Sequence, residues 1–284
     1  MLGPCLPSPL TELRDDRVEP HGVRLVLKRD DLVHPEVPGN KWRKLKHNLV
    51  AARGQGHTRL LTFGGAYSNH VRAVAAAGRH LGFATVGVIR GEEHEPLNDS
   101  LAYATSRGMT LTYLDRTTYR HKTEPAVLTR LLDEFGPGYV VPEGGANALG
   151  VRGCAELTGE LDDAFDVICC AVGTGATLAG IAAGARQALG FAVLKGARHL
   201  ADEVRRLQCA AFGAATANWT VDHDFHFGGY AKSTAELDAF AADFEARHGI
   251  ALDRVYEAKM MAGLLTRIAE GTFPPGTTVL AVLA

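Results

Sequence analysis

The 284-residue sequence has no surplus of either charge: 30 Lys and Arg face 32 Asp and Glu, for a formal net charge of -2. A phosphate backbone calls for a basic face, so nucleic acid is not an expected partner. No apolar run reaches the ~18–20 residues of a membrane span, and none is expected. The N-terminal MLGPCLPSPL lacks the basic start and apolar core of a secretory signal, which favours a cytoplasmic protein. Metal-binding spacings of the CxxC or HExxH type are absent, and His223 and His226 in DHDFHF have no third ligand nearby, so no metal is expected. Aromatics make up only 7% of the chain, and Trp42 and Trp219 read as packing residues. Five cysteines, Cys5, Cys154, Cys169, Cys170 and Cys209, form an odd set that fits reduced thiols better than a disulfide framework. Cys169 and Cys170, inside VICCAV, read as buried structural thiols. What remains is a globular chain, 46% hydrophobic, of a length for one large or two ordinary domains.

Present instead is alternation. Short apolar runs (VRLVLK, RLLTFGG, ATVGVI, MTLTYL, YVVPEGG, DVICCAV, TTVLAVLA) alternate with helix-like stretches such as KWRKLKHNLVAARGQG, NHVRAVAAAGRHLG, LNDSLAYATSRG, AVLTRLLDEFG and TLAGIAAGARQALG. That rhythm predicts βαβ units, a parallel sheet and an α/β fold, with two lobes plausible. Gly54, Gly82, Gly108, Gly136 and Gly190 stand at the expected helix ends. Ligands in such folds bind beyond the carboxyl ends of strands, near helix N-termini.

Three turns fit that description. In PGNKWRKLKHNL, Asn40 is a good N-cap and puts Lys41 in the first helical turn, where dipole and burial both lower a lysine's pKa. A neutral lysine suits Schiff-base chemistry; a solvated lysine on a basic helix is the ordinary alternative. Lys44, one turn on, points the same way. In LLTFGGAYSNHV, Ser68 or Asn69 caps a helix whose free amides, with His70 beside them, would take an anion, though plain capping explains the same residues. In VGTGATLAG, Gly173, Thr174, Gly175, Ala176 and Thr177 form a small-residue loop between strand and helix, suited to one phosphate. The loop has no Walker lysine, and its third glycine falls too late for a dinucleotide fingerprint. An imine-forming lysine, a single-phosphate cradle and a carboxylate site together point to pyridoxal 5'-phosphate (PLP).

These segments occur with LPSPLTEL (6–13), LVLKRDDL (25–32), VPEGGANALG (141–150), HFGGYAKS (226–233) and VYEAKMMAGLL (255–265). In that order they make the chain resemble the 1-aminocyclopropane-1-carboxylate (ACC) deaminase and D-cysteine desulfhydrase family of fold-type II PLP enzymes. The resemblance implies two open, twisted, mostly parallel sheets flanked by helices in two lobes. Residues 1–44 and 151–284 would form the larger, phosphate-binding domain, and 45–150 a smaller inserted one. It implies that Lys41 carries PLP, with Lys44 near the phosphate held by Gly173 to Thr177. Asn69 would bond the ring hydroxyl, and Glu257 would face the ring nitrogen. Ser68, Asn69 and His70 would receive the substrate carboxylate, and Lys41, Ser68, Tyr230 and Tyr256 would act in catalysis. The ACC deaminase-like branch has Glu at position 257 and the desulfhydrase-like branch Thr, whereas the loop GTGATLAG is closer to the latter. The implied activity is deamination of a small amino acid to a 2-oxo acid and ammonia by a homodimer. Alternatives are D-cysteine desulfhydration, another substrate on the same fold, and, more remotely, a non-catalytic PLP-binding protein.

Overall fold

The computed structural model describes residues 3–284 except His94 and Asp163; Met1 and Leu2, part of the N-terminus read above, lie outside the described residues. The strands are β1 (Leu10–Leu13), β2 (Arg24–Arg29), β3 (Arg59–Gly64), β4 (Ala84–Arg90), β5 (Met109–Leu114), β6 (Tyr139–Val141), β7 (Val167–Val172), β8 (Ala188–Ala192), β9 (Trp219–Asp222) and β10 (Thr278–Leu283). The first five helices are α1 (Asn40–Gly54), α2 (Asn69–Leu81), α3 (Asp99–Ser106), α4 (Arg116–Arg120) and α5 (Pro125–Phe135). The others are α6 (Ala148–Ala155), α7 (Ala176–Ala182), α8 (Leu200–Phe212), α9 (Ala235–His248) and α10 (Glu257–Ala269).

Two sheets result. One has the order β1-β2-β10-β7-β8-β9 and is parallel except for β1, which pairs antiparallel with β2. The other, β5-β4-β3-β6, is parallel throughout. Central strands read as unbroken apolar runs because both faces are covered. Two hydrophobic clusters flank each sheet; one of those on the smaller sheet takes in Val33, Val37, Trp42, Leu45, Leu49 and Ala52 from α1 and the chain before it.

Most glycine stops fall where expected. Gly82 ends α2 at φ 74°, and Gly136 follows α5 at φ 84°. Gly190 is a correction: α7 ends at Ala182, and Gly190 lies inside β8. A Cβ there would come within 2.5 Å of Val172 Cγ2 and 2.7 Å of Leu178 Cδ2, so this glycine admits close strand–helix packing rather than ending a helix.

Both sheets change strand direction of build at one point, between β3 and β6 in the smaller and between β7 and β10 in the larger. The loops after β3, β6 and β7 all open there, which places the site in the crevice between the sheets.

Candidate active site

A cavity of about 490 Å³ lies in that crevice, within the range of a small-molecule site. Its floor begins at the turn before α1. Gly39 has φ 57°, and a Cβ on it would lie 2.4 Å from Ala284 Cα, so only glycine lets the turn press against the end of β10. Gly39, not Asn40, is therefore the cap of α1, and Asn40 is its first residue. The Asn40 side chain is used otherwise: its Oδ1 accepts from the Lys41 ammonium.

Lys41 and Lys44 both line the cavity. Burial and then the Lys44 charge push the Lys41 amine down to about 7, and burial also lowers Lys44. Neither has an ion-pair partner among the described residues, so an anion and an electrophile entering the cavity would both find an unmet partner. His70 is a third unmet group. The Thr62 hydroxyl donates to the Val141 carbonyl at 2.9 Å and so accepts from His70 Nε2 at 2.9 Å. That leaves Nδ1 as a bare acceptor, and no described group bonds it. Burial, then Lys41 and Lys44, hold this imidazole neutral, well below its ordinary pKa.

Across from the lysines, α2 begins at Ser68, whose Oγ accepts from the Val71 amide at 3.3 Å. The Arg72 amide reaches the Ser68 carbonyl, which leaves the amides of Asn69 and His70 for a ligand. Gly64 permits this turn: a Cβ there would come within 2.7 Å of Ser68 Oγ. Ser68 and His70 line the cavity, but the Asn69 side chain turns away and donates Nδ2 to Asp253 Oδ2 at 3.3 Å.

The loop after β7 closes another wall. Gly173, Thr174, Gly175 and Thr177 line the cavity, and Ala176 is buried behind them. A Cβ on Gly173 would lie 3.1 Å from the Tyr256 ring, and Gly175 caps α7 at φ 84°. Gly144, at φ 64°, brings the loop after β6 against Thr174. Small residues are thus required along this wall of the cavity, where Thr174 and the Tyr256 ring press against the loops.

Tyr230 and Tyr256 complete the enclosure, their ring centres 6.2 Å apart at 70°. The Lys41 ammonium lies 5.7 Å from the Tyr256 ring centre. Burial raises both phenols, Tyr256 furthest, so both hold their protons at neutral pH. Behind Tyr256, buried Glu257 opens α10. Its Oε2 accepts from the Asp253 amide at 2.9 Å and its Oε1 from the Ala284 amide at 2.6 Å. Burial nonetheless pushes this carboxyl up to about 7, with Asp253 and Asp31 adding to the rise. Glu257 borders a smaller recess lined also by Asn40, Thr177 and Tyr256, which line the main cavity as well.

Lys41, Lys44, Ser68, His70, the loop from Gly173 to Thr177, Tyr230 and Tyr256 are therefore brought around one space, with Glu257 in the recess that shares its lining and Asn69 at its edge. Sequence reading missed Arg90, Lys122, Glu143 and Arg206, which also line the cavity. Lys122 pairs with Glu143 at 3.2 Å and Arg206 with Glu203 at 2.7 Å. Glu143 lies within the VPEGGANALG segment but has no role assigned to it there, and Arg90, Lys122 and Arg206 are single polar residues that nothing in their spacing marks. Asp253 was missed too, although an acid just before a helix is a capping signal: its Oδ1 accepts from Val255 at 2.9 Å and Tyr256 at 2.8 Å. His226, read above beside His223, uses its Nδ1 to accept from the Gly228 amide at 3.1 Å.

The chain is similar to known proteins over most of its length. The chain is 31% identical to a D-cysteine desulfhydrase of Klebsiella pneumoniae (strain 342), over 94% of this chain and 88% of the relative. It is 29% identical to a bifunctional D-cysteine desulfhydrase/1-aminocyclopropane-1-carboxylate deaminase of Arabidopsis thaliana, a mitochondrial protein, over 88% of this chain and 69% of the relative. Among solved structures, an ACC deaminase homologue superposes with a TM-score of 0.87 at 27% identity, covering 100% of this chain and 90% of the other. The family described as pyridoxal-phosphate dependent enzyme matches residues 3–284. Two amino groups without carboxylate partners, a small-residue loop and a buried carboxyl are what a phosphorylated pyridine aldehyde needs, and the chain belongs to the pyridoxal-phosphate dependent enzymes of this fold.

Proposed function

We propose that the protein deaminates a small amino acid of the ACC type, releasing a 2-oxo acid and ammonia. The observation that carries this reading is Glu257: a buried carboxyl, fixed by two backbone amides, in a recess it shares with Asn40 and Tyr256. Bound PLP supplies an electron sink for the carbon that bears the substrate's amino group. Glu257 is the residue that would face the ring nitrogen, where a carboxylate would favour the protonated, more electron-withdrawing ring.

The chain's own groups divide the remaining work. Lys41, partly neutral at pH 7, holds the cofactor and then serves as a base or proton carrier. Lys44 and the amides from Gly173 to Thr177 hold the phosphate. The free amides of Asn69 and His70, with Ser68, receive the substrate carboxylate. Tyr230 and Tyr256 keep their protons and act as donors. In the same reading Asn69 would bond the ring hydroxyl, which would require its side chain to leave Asp253.

A second reading, D-cysteine desulfhydration, is favoured by the lowered Lys41 amine, since a base beside the α-carbon suits a substrate with an α-hydrogen and a sulfide leaving group. We further propose the two-lobe division at 1–44 with 151–284 and 45–150, a homodimer, and a cytoplasmic setting. No described helix is long and apolar enough to cross a membrane. The cysteines are unpaired, with Cys154, Cys169 and Cys170 buried.

Assays of the PLP-loaded protein with ACC and with D-cysteine test the substrate. The expected result is equal release of ammonia and 2-oxobutanoate from ACC. Sulfide and pyruvate from D-cysteine alone would establish the second reading instead. Inactivity on both would overturn both substrate readings and move the search to another small amino acid on the same machinery.

A further inference from the structure

Helix α10 opens with the cavity residues and then grips the segment that delivers Tyr230. Lys259, Gly263 and Arg267 recur every four residues and so share one helical face. Lys259 is fully buried and has no ion-pair partner among the described residues; its ammonium donates to two carbonyl oxygens, of His226 at 2.9 Å and Gly229 at 2.7 Å. Gly263 makes room for Phe225, since a Cβ there would lie 2.7 Å from Phe225 Cγ and 2.8 Å from Phe191 Cδ1. Arg267 donates Nε to Asp222 at 2.8 Å, pairs with Asp224, and stacks 4.9 Å from the Phe225 ring centre.

The gripped segment does not hold its shape cheaply. Among the described residues, Phe227 and Ala231 are the two non-glycine residues with positive φ, at 47° and 51°, and between them Gly228 and Gly229 stand at 91° and 112°. Left-handed backbone at side-chain-bearing residues persists only where the surroundings enforce it. Inside the loop only Gly229 N to His226 O (2.9 Å), Lys232 N to Gly229 O (3.1 Å) and Gly228 N to His226 Nδ1 (3.1 Å) oppose its opening. Lys259 donates to the two carbonyls at which those turns close. A buried ammonium without a carboxylate is a costly way to fill space, and a methionine of similar length fills it without desolvating a charge.

We propose that Lys259 is a positioning residue: a buried ammonium that clamps the 226–231 loop to α10 and so sets Tyr230 against Tyr256 across the cavity. Its consequence for turnover rests on the reading of Tyr230 as a substrate-side donor; the clamp itself does not.

Hydrogen–deuterium exchange of the PLP-loaded protein tests the clamp directly. In Lys259→Met the Gly229 and Lys232 amides should exchange about tenfold or more faster, with β7 and β10 unchanged. Gly263→Ala, which displaces Phe225 but keeps the lysine, should accelerate the same segment. Unchanged exchange at 226–232 in folded Lys259→Met overturns the clamp; if that variant does not fold, unchanged exchange in Gly263→Ala does so. A double-mutant cycle reads the consequence for Tyr230. Lys259→Met should lower kcat more than it raises KM, and adding it to Tyr230→Phe should cost less than about twofold further. Losses that simply multiply would overturn the route through Tyr230. If no substrate is found, the exchange result still decides the clamp, so the two readings fail separately.

Discussion

Lys41 ionises at about 7 in the folded chain, against 10.5 ordinarily. Between those values the unfolded chain binds a proton that the folded one refuses, so this residue's contribution to stability rises with pH across the window. Below about pH 7 the full burial penalty applies; above 10.5 it is gone. Without PLP, Lys41→Met should therefore be more stable than wild type near pH 7, with the gap closing toward pH 10. Thermal unfolding of both apoproteins across that range checks it, and parallel Tm curves would contradict it. If Lys41 carries PLP as proposed, the cofactor should narrow the same gap, because the linkage would remove the ammonium that burial penalises. Glu257 has the opposite sign. Its carboxyl stays protonated to about 7 in the fold against 4.5 ordinarily, so the stability this group contributes is lost as pH rises from 4.5 to 7. Glu257→Gln should flatten that loss in the apoprotein, as read by urea midpoints at the two ends of the window.

Among the elements, the crossing of α1 and α6 is the tightest point near the site. A Cβ on Gly153 would sit 1.9 Å from the Arg43 carbonyl oxygen, against backbone that has no way to yield. Gly153→Ala should force the helices apart at a cost of about 1–3 kcal/mol and tilt the lysines that α1 carries. Chemical denaturation measures the first effect and PLP affinity the second; a variant with wild-type values for both would contradict the packing. The same elements show what was legible beforehand. Helices with a polar cap and a glycine stop, such as α2 between Ser68 and Gly82, stand out in the sequence because local chemistry marks both ends. The stretch from Thr177 to Val193 does not. Its alanines, leucines and glycines serve a buried helix and a buried parallel strand alike, so the helix pattern runs on to Gly190 while the chain has already turned into β8. At the site, the turns that present backbone were legible, because glycine, serine and threonine are demanded there. Asn69 shows the limit: its neighbours are cavity residues, but Asp253, far along the chain, draws its amide aside.

On the scale of the whole molecule, the lysine turn is held in place by a buried ionic cluster that joins four distant parts of the chain. Arg43 on α1 donates to Asp30 at 2.6 and 2.8 Å and to Glu160 at 2.7 and 2.9 Å. Lys28 on β2 reaches Glu160 at 2.9 Å and the Ser8 carbonyl at 2.8 Å, and the Ser8 hydroxyl donates to Asp30 at 2.6 Å. The cluster ties the larger sheet to the helix that carries Lys41 and Lys44. Arg43→Met leaves Asp30 buried with only Ser8 to bond it and should cost about 3–5 kcal/mol, seen as a lowered urea midpoint. A change under about 1 kcal/mol would mean that the cluster is solvated and does not anchor the turn. No residue of this cluster announces itself locally, since each finds its partner only once both sheets have formed.

That Lys41 holds PLP is the central proposal. The visible absorption spectrum of the purified protein, before and after borohydride, for wild type and Lys41→Ala, tests it most directly. A visible band in wild type that borohydride abolishes, and that Lys41→Ala lacks, is the predicted result. A band that survives in Lys41→Ala, or none in wild type after PLP is added, would contradict it.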